Sequence, residues 1–135
     1  MRIDFERVKE FHGHVGPYVV IGWRMGARAM AELGAGKYFG ASVQVTCADR
    51  PPESCLIDGL QFSTGCTMGK RNITHTVGTP VEVTVTAKES GRSITIHPRD
   101  EVIQQAIAIL KADGEDAAVA WVDSLGDGEM MEIRV

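Results

Sequence analysis

The chain has 135 residues, of which 44% are hydrophobic and 24% charged, and its net charge is -4. A chain of this length buries about two thirds of its unfolded surface, so it needs no disulfides to hold a core. No apolar run approaches the roughly 20 residues that span a bilayer, and no basic cluster larger than Lys70-Arg71 is present. We therefore expect one domain, residues 1–135, with neither a membrane nor a nucleic acid as partner.

Cysteine usage and the first residues bear on cellular location. Residues 1–6 place acids where a secretory signal needs a basic start, which predicts a cytoplasmic protein. The chain has three cysteines, Cys47, Cys55 and Cys66, and an odd number does not indicate a disulfide framework. Thiol chemistry or metal ligation is the alternative to burial as small apolar side chains. Cys47 ends a predicted strand and fits either the core or a third thiol near Cys55.

Two helices come first in the predicted order of elements. Apolar residues recur at helical spacing over residues 4–12, with Asp4 as the candidate N-cap. Pro17 suits the first turn of a second helix that runs to about Leu33 and closes at Gly34.

Small residues line one face of that second helix. Gly22, Gly26 and the alanines at 27, 29 and 31 leave little side-chain volume there. Another helix can approach such a face closely, and an exposed face of this kind would make a dimer contact.

The later elements alternate strands and helices. Period-two alternation predicts the strands, and apolar stripes predict the helices. In chain order we expect a strand at 42–46, a helix from Ser54 or Cys55 to about Thr64, strands at about 72–77, 81–88 and 92–97, a helix capped by Asp100, a helix from Glu115 to about Ser124, and a strand at 130–135. The predicted fold class is α+β, with N-terminal helices and a mixed or antiparallel sheet on which helices pack.

A His-Gly-His motif lies in the junction between the first two helices. His12 and His14 can reach a common point from an extended turn, and Gly13 lets the backbone fold tightly beneath them. Capping or hydrogen-bonded histidines are the alternative interpretation. The free amides near Pro17 also favour an anionic ligand.

The second motif runs from Ser54 to Asn72. Cys55 falls at the start of a predicted helix, where the helix dipole is expected to lower the thiol pKa. Cys66 lies past the end of that helix, which covers up to about 16 Å. Both thiols can therefore share one ion only if the helix is short and the loop folds back. The glycine loop lacks the spacing and the Ser/Thr of a nucleotide-binding P-loop, which excludes that function.

Polar residues around this helix are further candidates. Asp58 and Gln61 lie one turn apart and can orient a ligand histidine or contact a substrate. Lys70 and Arg71 can hold a small anionic ligand, with solvated surface charge as the alternative.

Other polar residues are predicted to be structural. Arg24 and Arg28 share a helix face and are expected to pair with surface acids such as Glu32. His75 and His97 lie in strand-like surroundings, where we expect structural roles.

The two motifs together resemble the formylmethanofuran dehydrogenase E-subunit family over about residues 8–73. The matching residues are Phe11 to His14, Pro17, Gly22, Arg24, Cys55, Asp58, Gly59, Gln61, Thr64 to Thr67, Gly69, Lys70 and Asn72. The resemblance implies a homodimer whose α+β core is like that of the glyceraldehyde-3-phosphate dehydrogenase C-terminal domain. It also implies a metal site at the His and Cys residues.

By this analogy His14 and Cys55 are the first expected ligands, followed by His12 and Cys66. Mixed imidazole and thiolate ligation favours zinc, with nickel or iron as alternatives. If the site is catalytic, Asp58 is a candidate proton carrier.

If the site is catalytic, Lys70 is the candidate for holding substrate. A metal carrier or accessory subunit of a molybdenum or tungsten oxidoreductase complex is an alternative function. A metal-free enzyme with Cys55 as nucleophile and His14 as base is another. The sequence departs from the family pattern at Gly16, where a cysteine commonly precedes the proline, and it carries no cysteine-rich zinc module after the core.

Overall fold

A computed structural model describes residues 2–135; Met1, the first residue of the predicted domain, lies outside the described residues. The predicted order of elements is confirmed, and a short helix precedes the last strand. In chain order the elements are α1 (Phe5–His12), α2 (Pro17–Leu33), β1 (Ala41–Cys47), a 3-10 turn (Glu53–Cys55), α3 (Leu56–Thr64), β2 (Ile73–Val77), β3 (Glu82–Ala87), β4 (Ser93–Pro98), α4 (Asp100–Asp113), α5 (Glu115–Ser124), α6 (Asp127–Met130) and β5 (Met131–Arg134).

The five strands form one mixed sheet in the order β2-β1-β3-β4-β5. β1 and β2 are parallel, and the other neighbouring pairs are antiparallel. Parallel neighbours need a crossover connection, and α3 lies within that crossover. The predicted α+β class is confirmed. The likeness to the glyceraldehyde-3-phosphate dehydrogenase domain stays a prediction.

α2 contacts α3, α5 and the central strands of the sheet. It lies against α3 so closely that a Cβ atom at Gly22 would overlap the Leu56 carbonyl oxygen. A Cβ atom at Gly59 of α3 would likewise overlap the carbonyl oxygen of Val19. The small-residue face of α2 is therefore a helix contact, as predicted. Gly22, Gly26 and Ala29 are buried there, whereas Ala27 is half-buried and Ala31 is exposed, so the dimer contact stays a prediction.

The helix ends follow the predicted signals with one exception. Asp4 caps α1 by accepting a hydrogen bond from the Arg7 amide, and Gly34 closes α2 in the left-handed conformation. Asp100 is not the cap of α4 but its first residue. Arg99 takes the N-cap position because its extended backbone follows directly on β4.

The residues predicted to be structural are held within the fold. Arg28 pairs with Glu32 at 2.6 Å, as expected, while Arg24 pairs with Asp127 at 2.8 Å. His75 Nε2 donates to the Cys47 carbonyl, and His97 Nδ1 donates to that of Val81. Along residues 2–135, the helices are all too short or too polar to cross a bilayer.

Candidate functional site

His12 lies at the C-terminal end of α1 with only 8% of its side chain exposed. Its Nδ1 donates to Oδ2 of Asp58 across 2.6 Å. Its Nε2 is buried and has no hydrogen-bond partner among the described residues. A buried polar atom without a partner costs about 1–3 kcal/mol, so it needs an explanation. In a neutral ring with its proton on Nδ1, this Nε2 carries a free lone pair.

His14 adjoins His12, with 4.8 Å between the two ring centroids. Its Nδ1 lies 2.9 Å from Oε2 of Glu115, the first residue of α5. Each imidazole therefore has a carboxylate beside Nδ1, which leaves Nε2 as the nitrogen for another partner. Histidines that bind metals commonly donate a hydrogen bond to a carboxylate, as His12 does to Asp58, whereas His14 and Glu115 are paired by distance alone.

Cys55 ends the 3-10 turn and precedes α3. Burial raises the pKa of its thiol, and the carboxylates of Asp58 and Glu115 raise it further. The predicted lowering of this pKa is wrong, because burial and two nearby negative charges raise it. The same two carboxylates contact His12 and His14, so the thiol and both imidazoles share one electrostatic environment.

The two imidazoles adjoin each other, and Cys55 lies near the carboxylates that contact them, without a preformed cage. Within residues 2–135, no three or more His, Cys, Asp or Glu side chains are grouped so that they could hold a metal ion. Coordination of one ion by His12, His14 and Cys55 therefore requires their side chains to turn toward a common point.

Cys66 lies elsewhere. It is fully buried, and its Sγ donates to the carbonyl oxygen of Ala41 in β1 across 3.3 Å. Burial raises the pKa of this thiol as well. α3 has nine residues, so its two ends are about 13 Å apart. Cys66 follows the C-terminal end, whereas Cys55 and Asp58 belong to the N-terminal end.

Lys70 also lies at the C-terminal end of α3. Its Nζ is 3.4 Å from Oγ1 of Thr67 and 5.6 Å from the centroid of the Tyr38 ring. The Tyr38 amide in turn donates to the carbonyl of Thr64, the last residue of α3. Lys70 therefore lies with the C-terminal end of α3, and its role in holding substrate stays a prediction.

Asp58 and Gln61 turn out to act apart. Asp58 contacts a histidine, as the shared-face prediction proposed, while Gln61 Oε1 accepts a hydrogen bond from the Met68 amide. Of the two interpretations of Cys47, the structure supports the core. Cys47 is fully buried, and burial together with the Glu53 carboxylate raises its pKa to about 11.

Glu115 is the residue that sequence reasoning missed. It entered only as the start of a predicted helix, since an acid in a first helical turn is ordinary. Nothing nearby in the sequence connects it to His14, because the contact depends on how α5 lies against the α1–α2 junction.

Residues 11–125 match the profile of FmdE, described as "Molybdenum formylmethanofuran dehydrogenase operon". The chain belongs to the FmdE family. The match contains both motifs and extends well past the predicted 8–73, through α4 and α5.

Two individual proteins place this FmdE-family chain among its relatives. A probable S-adenosyl-L-methionine-binding protein from Archaeoglobus fulgidus is 32% identical over 100 residues, which are 73% of this chain. The aligned part is 27% of that relative, so the chain spans about a quarter of its length. The crystal structure of a tungsten formylmethanofuran dehydrogenase FmdE-like protein from Syntrophus aciditrophicus superposes with a TM-score of 0.67 at 24% identity. That superposition covers 96% of this chain and 67% of the other, and it shows the shared FmdE-like fold.

Proposed function

We propose that this FmdE-family protein binds one divalent transition metal ion, zinc before nickel or iron, through His12, His14 and Cys55. The observation that carries the proposal is the buried Nε2 of His12, which has no partner among the described residues while Asp58 holds Nδ1. A metal ion would satisfy that nitrogen. Imidazole and thiolate donors suit zinc, and the same donors are accepted by nickel and iron.

The raised pKa of Cys55 separates this proposal from a metal-free thiol enzyme. A thiol with a raised pKa is protonated at neutral pH and is a poor nucleophile. A metal ion favours the thiolate, so loading would release a proton from Cys55. His14 lies against Glu115, and no observation favours it as the base that a thiol enzyme needs.

The other residues take different roles in this proposal. Asp58 holds the His12 ring, which we favour over proton transfer. Cys66 and Lys70 are left out of the site because they follow the opposite end of α3. A bound zinc ion would supply a Lewis acid and a water of lowered pKa.

Association with other chains is the second part of the proposal. The family name refers to an operon of formylmethanofuran dehydrogenase, which supports a role as accessory subunit of a molybdenum or tungsten oxidoreductase. Phe11, Tyr38, Phe39 and Met68 are each more than half exposed and supply apolar surface for a homodimer or a larger complex. Light scattering of the purified chain distinguishes a dimer from a monomer, and copurification of a large untagged partner tests the complex.

Metal content tests the site directly. Inductively coupled plasma mass spectrometry on untagged wild type should find about one ion per chain and identify the element. His14→Ala and Cys55→Ser should both lose the ion, while His75→Ala should retain it, since His75 is bound within the sheet. Wild type with no metal above background would overturn the proposal.

A further inference from the structure

A cavity of about 780 Å³ lies along α2. The α2 residues that line it include Trp23, Ala27 and Ala31, and the other lining residues come from the start of α1, the segment after α2, and the point where α5 ends and α6 begins. None of the three residues proposed to bind the metal ion lines it. Its volume is in the range of roughly 300–1,000 Å³ that is typical of small-molecule sites.

Cationic side chains outnumber acidic ones around this cavity. The chain as a whole has a net charge of -4. The charged residues that line the cavity are the cationic Arg2, Arg24, Arg28 and Lys37 and the acidic Asp123 and Asp127. A concave surface with an excess of one charge raises the local concentration of ligands of the opposite charge. The cavity therefore favours an anion, although the net charge of the chain is negative.

Two of these arginines are held by the fold and keep donors to spare. Arg24 donates from Nη1 to the Val122 carbonyl and from Nη2 to the Asp127 carboxylate. Arg28 donates from Nη1 to the same carboxylate, and from Nε and Nη2 to Glu32. A guanidinium group has five N–H donors in a planar fork that matches a carboxylate or a phosphate. Arg24 uses two donors in these bonds and Arg28 uses three, so both can donate further to a bound anion.

The uncharged part of the lining is mainly apolar. Phe5 and Trp23 contribute aromatic rings, while Ala27 and Ala31 contribute only methyl groups and leave space above α2. Ser63 of α3 also lines the cavity, and its Oγ is buried without a hydrogen-bond partner among the described residues. A ligand that fills this space therefore needs an apolar body as well as an anionic group.

We infer that this cavity binds a small organic anion, with a carboxylate or phosphate group on Arg24 and Arg28 and an apolar body against Trp23 and the two alanines. The shared contact with Asp127 holds both guanidinium groups before a ligand arrives, which lowers the entropy that binding costs. The inference goes beyond the proposed metal site and does not depend on it.

A fluorescent anion tests the cavity. 8-Anilino-1-naphthalenesulfonate joins a sulfonate to an apolar ring system, and we expect it to bind at this site. Decanoate and 1-naphthyl phosphate should displace it and uncharged decanol should not, and the stronger of the two competitors identifies the preferred anionic group. In NMR spectra of the nitrogen-15-labelled protein, the amide signals of Ala27 and Ala31 should shift. Those of Phe11 and Met68, which are exposed and do not line the cavity, should not shift.

Two variants remove the charge and the space separately. Arg28→Gln should weaken binding of the fluorescent anion by about 10-fold, because a charged hydrogen bond is lost. Its matched control is Arg99→Gln, since Arg99 is similarly exposed and also pairs with a glutamate but does not line this cavity. Ala31→Phe should weaken binding by a similar factor because the ring fills the space, whereas Ala112→Phe places the same ring on an exposed position of α4. Circular dichroism and urea denaturation confirm that each variant folds.

The contrary results are equally specific. Equal displacement by decanol and decanoate, or equal affinity of Arg28→Gln and Arg99→Gln, would overturn the recognition of an anion. Absence of binding, or shifts at Phe11 and Met68 in place of Ala27 and Ala31, would overturn the cavity as the site. The metal content of the protein tests the metal site independently of all these results.

Discussion

The two ends of α3 carry similar residue types and differ in how their polar groups are satisfied. At the N-terminal end, His12 Nε2 is buried without a partner among the described residues, and Cys55 lies near two carboxylates. At the C-terminal end, Thr64 Oγ1 donates to the Leu60 carbonyl and accepts from the Cys66 amide. Ser63 Oγ, in the last turn of α3, is also buried without a partner among the described residues, and it faces Gly26 of α2. The two ends therefore differ in the kind of atom left unpartnered, an imidazole nitrogen beside a thiol at the first and a hydroxyl at the second.

The comparison shows why a pair of cysteines is weak support for a shared ion. Cys55 and Cys66 flank one helix, and the length of that helix keeps them apart. Cys66 fills a place in the core and donates to β1. Residue type and sequence spacing alone therefore do not show that two cysteines share one ion.

The largest expected effect concerns the contact that supports the N-terminal end. In Gly22→Ala the added methyl group would overlap the Leu56 carbonyl, which is backbone and cannot turn away. We expect a loss of at least about 3 kcal/mol in the free energy of unfolding, measured by urea denaturation. In Gly26→Ala the methyl group meets the Ser63 side chain instead, so the loss should be smaller. Gly36→Ala is the control, since nothing lies within 4 Å of its Cβ position. Equal stability of Gly22→Ala and wild type would contradict the close packing.

The second-largest expected effect concerns the thiols of Cys55 and Cys66, which flank α3. Cys55→Ser should weaken zinc binding by at least about 100-fold, because a direct ligand matters more than an outer partner. Cys66→Ser should leave zinc affinity unchanged and lower thermal stability, since its Sγ is buried against Ala41. Chelator competition measures the first quantity and thermal denaturation the second. Loss of zinc in Cys66→Ser with the fold intact would show that the two ends act together.

A smaller effect is expected in the loop at the C-terminal end. Asn72 Oδ1 accepts from the Thr67 amide and its Nδ2 donates to the Tyr38 carbonyl. Asn72→Ala should lower the free energy of unfolding by about 1–2 kcal/mol, because two backbone groups lose their partner. Zinc affinity should not change. A fall in affinity without a fall in stability would be the contrary result.

The smallest expected effect concerns the acid sensitivity of the fold at Asp127, which lies outside both ends of α3. Burial acts to raise the pKa of Asp127, but hydrogen bonds from Arg24 and Arg28 outweigh it and hold the pKa below its ordinary value. A carboxyl group with a lowered pKa stabilises the fold above its unfolded pKa of about 3.9, and this contribution is lost as pH falls through the folded pKa.

Asp127→Asn should therefore cost about 1 kcal/mol at pH 7, given its partial exposure, and less and less below about pH 4. Urea denaturation of both proteins from pH 7 downward measures the difference. A difference that stays constant down to the lowest pH would rule out the ion pairs as its source.

Local signals predicted the elements well because each depends on nearby residues. Pro17 and Gly34 bound α2 as predicted, and period-two alternation located β3 and β4. The position of Asp100 was wrong by one residue, since the end of β4 sets where α4 begins. α6 was missed because four residues carry too little periodicity.

Those parts of the candidate site that depend on nearby residues were also predicted from the sequence. The His-Gly-His motif and Asp58 were singled out, and the structure brings His12 and Asp58 together. The lowered pKa expected for Cys55 was wrong, because burial is the largest cause of the shift and comes from the tertiary structure. The Asp58 carboxylate, three residues along the chain, and the Glu115 carboxylate of α5 raise the pKa further.

The sequence by itself determined the helices and strands, the FmdE-family motifs and the residue types available for chemistry, since these follow from spacing and composition. Only the tertiary structure decided which of those residues meet. The length of α3 and the contact of Cys66 with β1 separate Cys66 from Cys55, and the placement of α5 brings Glu115 to His14. Such contacts join residues far apart in the chain, and burial then sets the pKa of the groups they enclose.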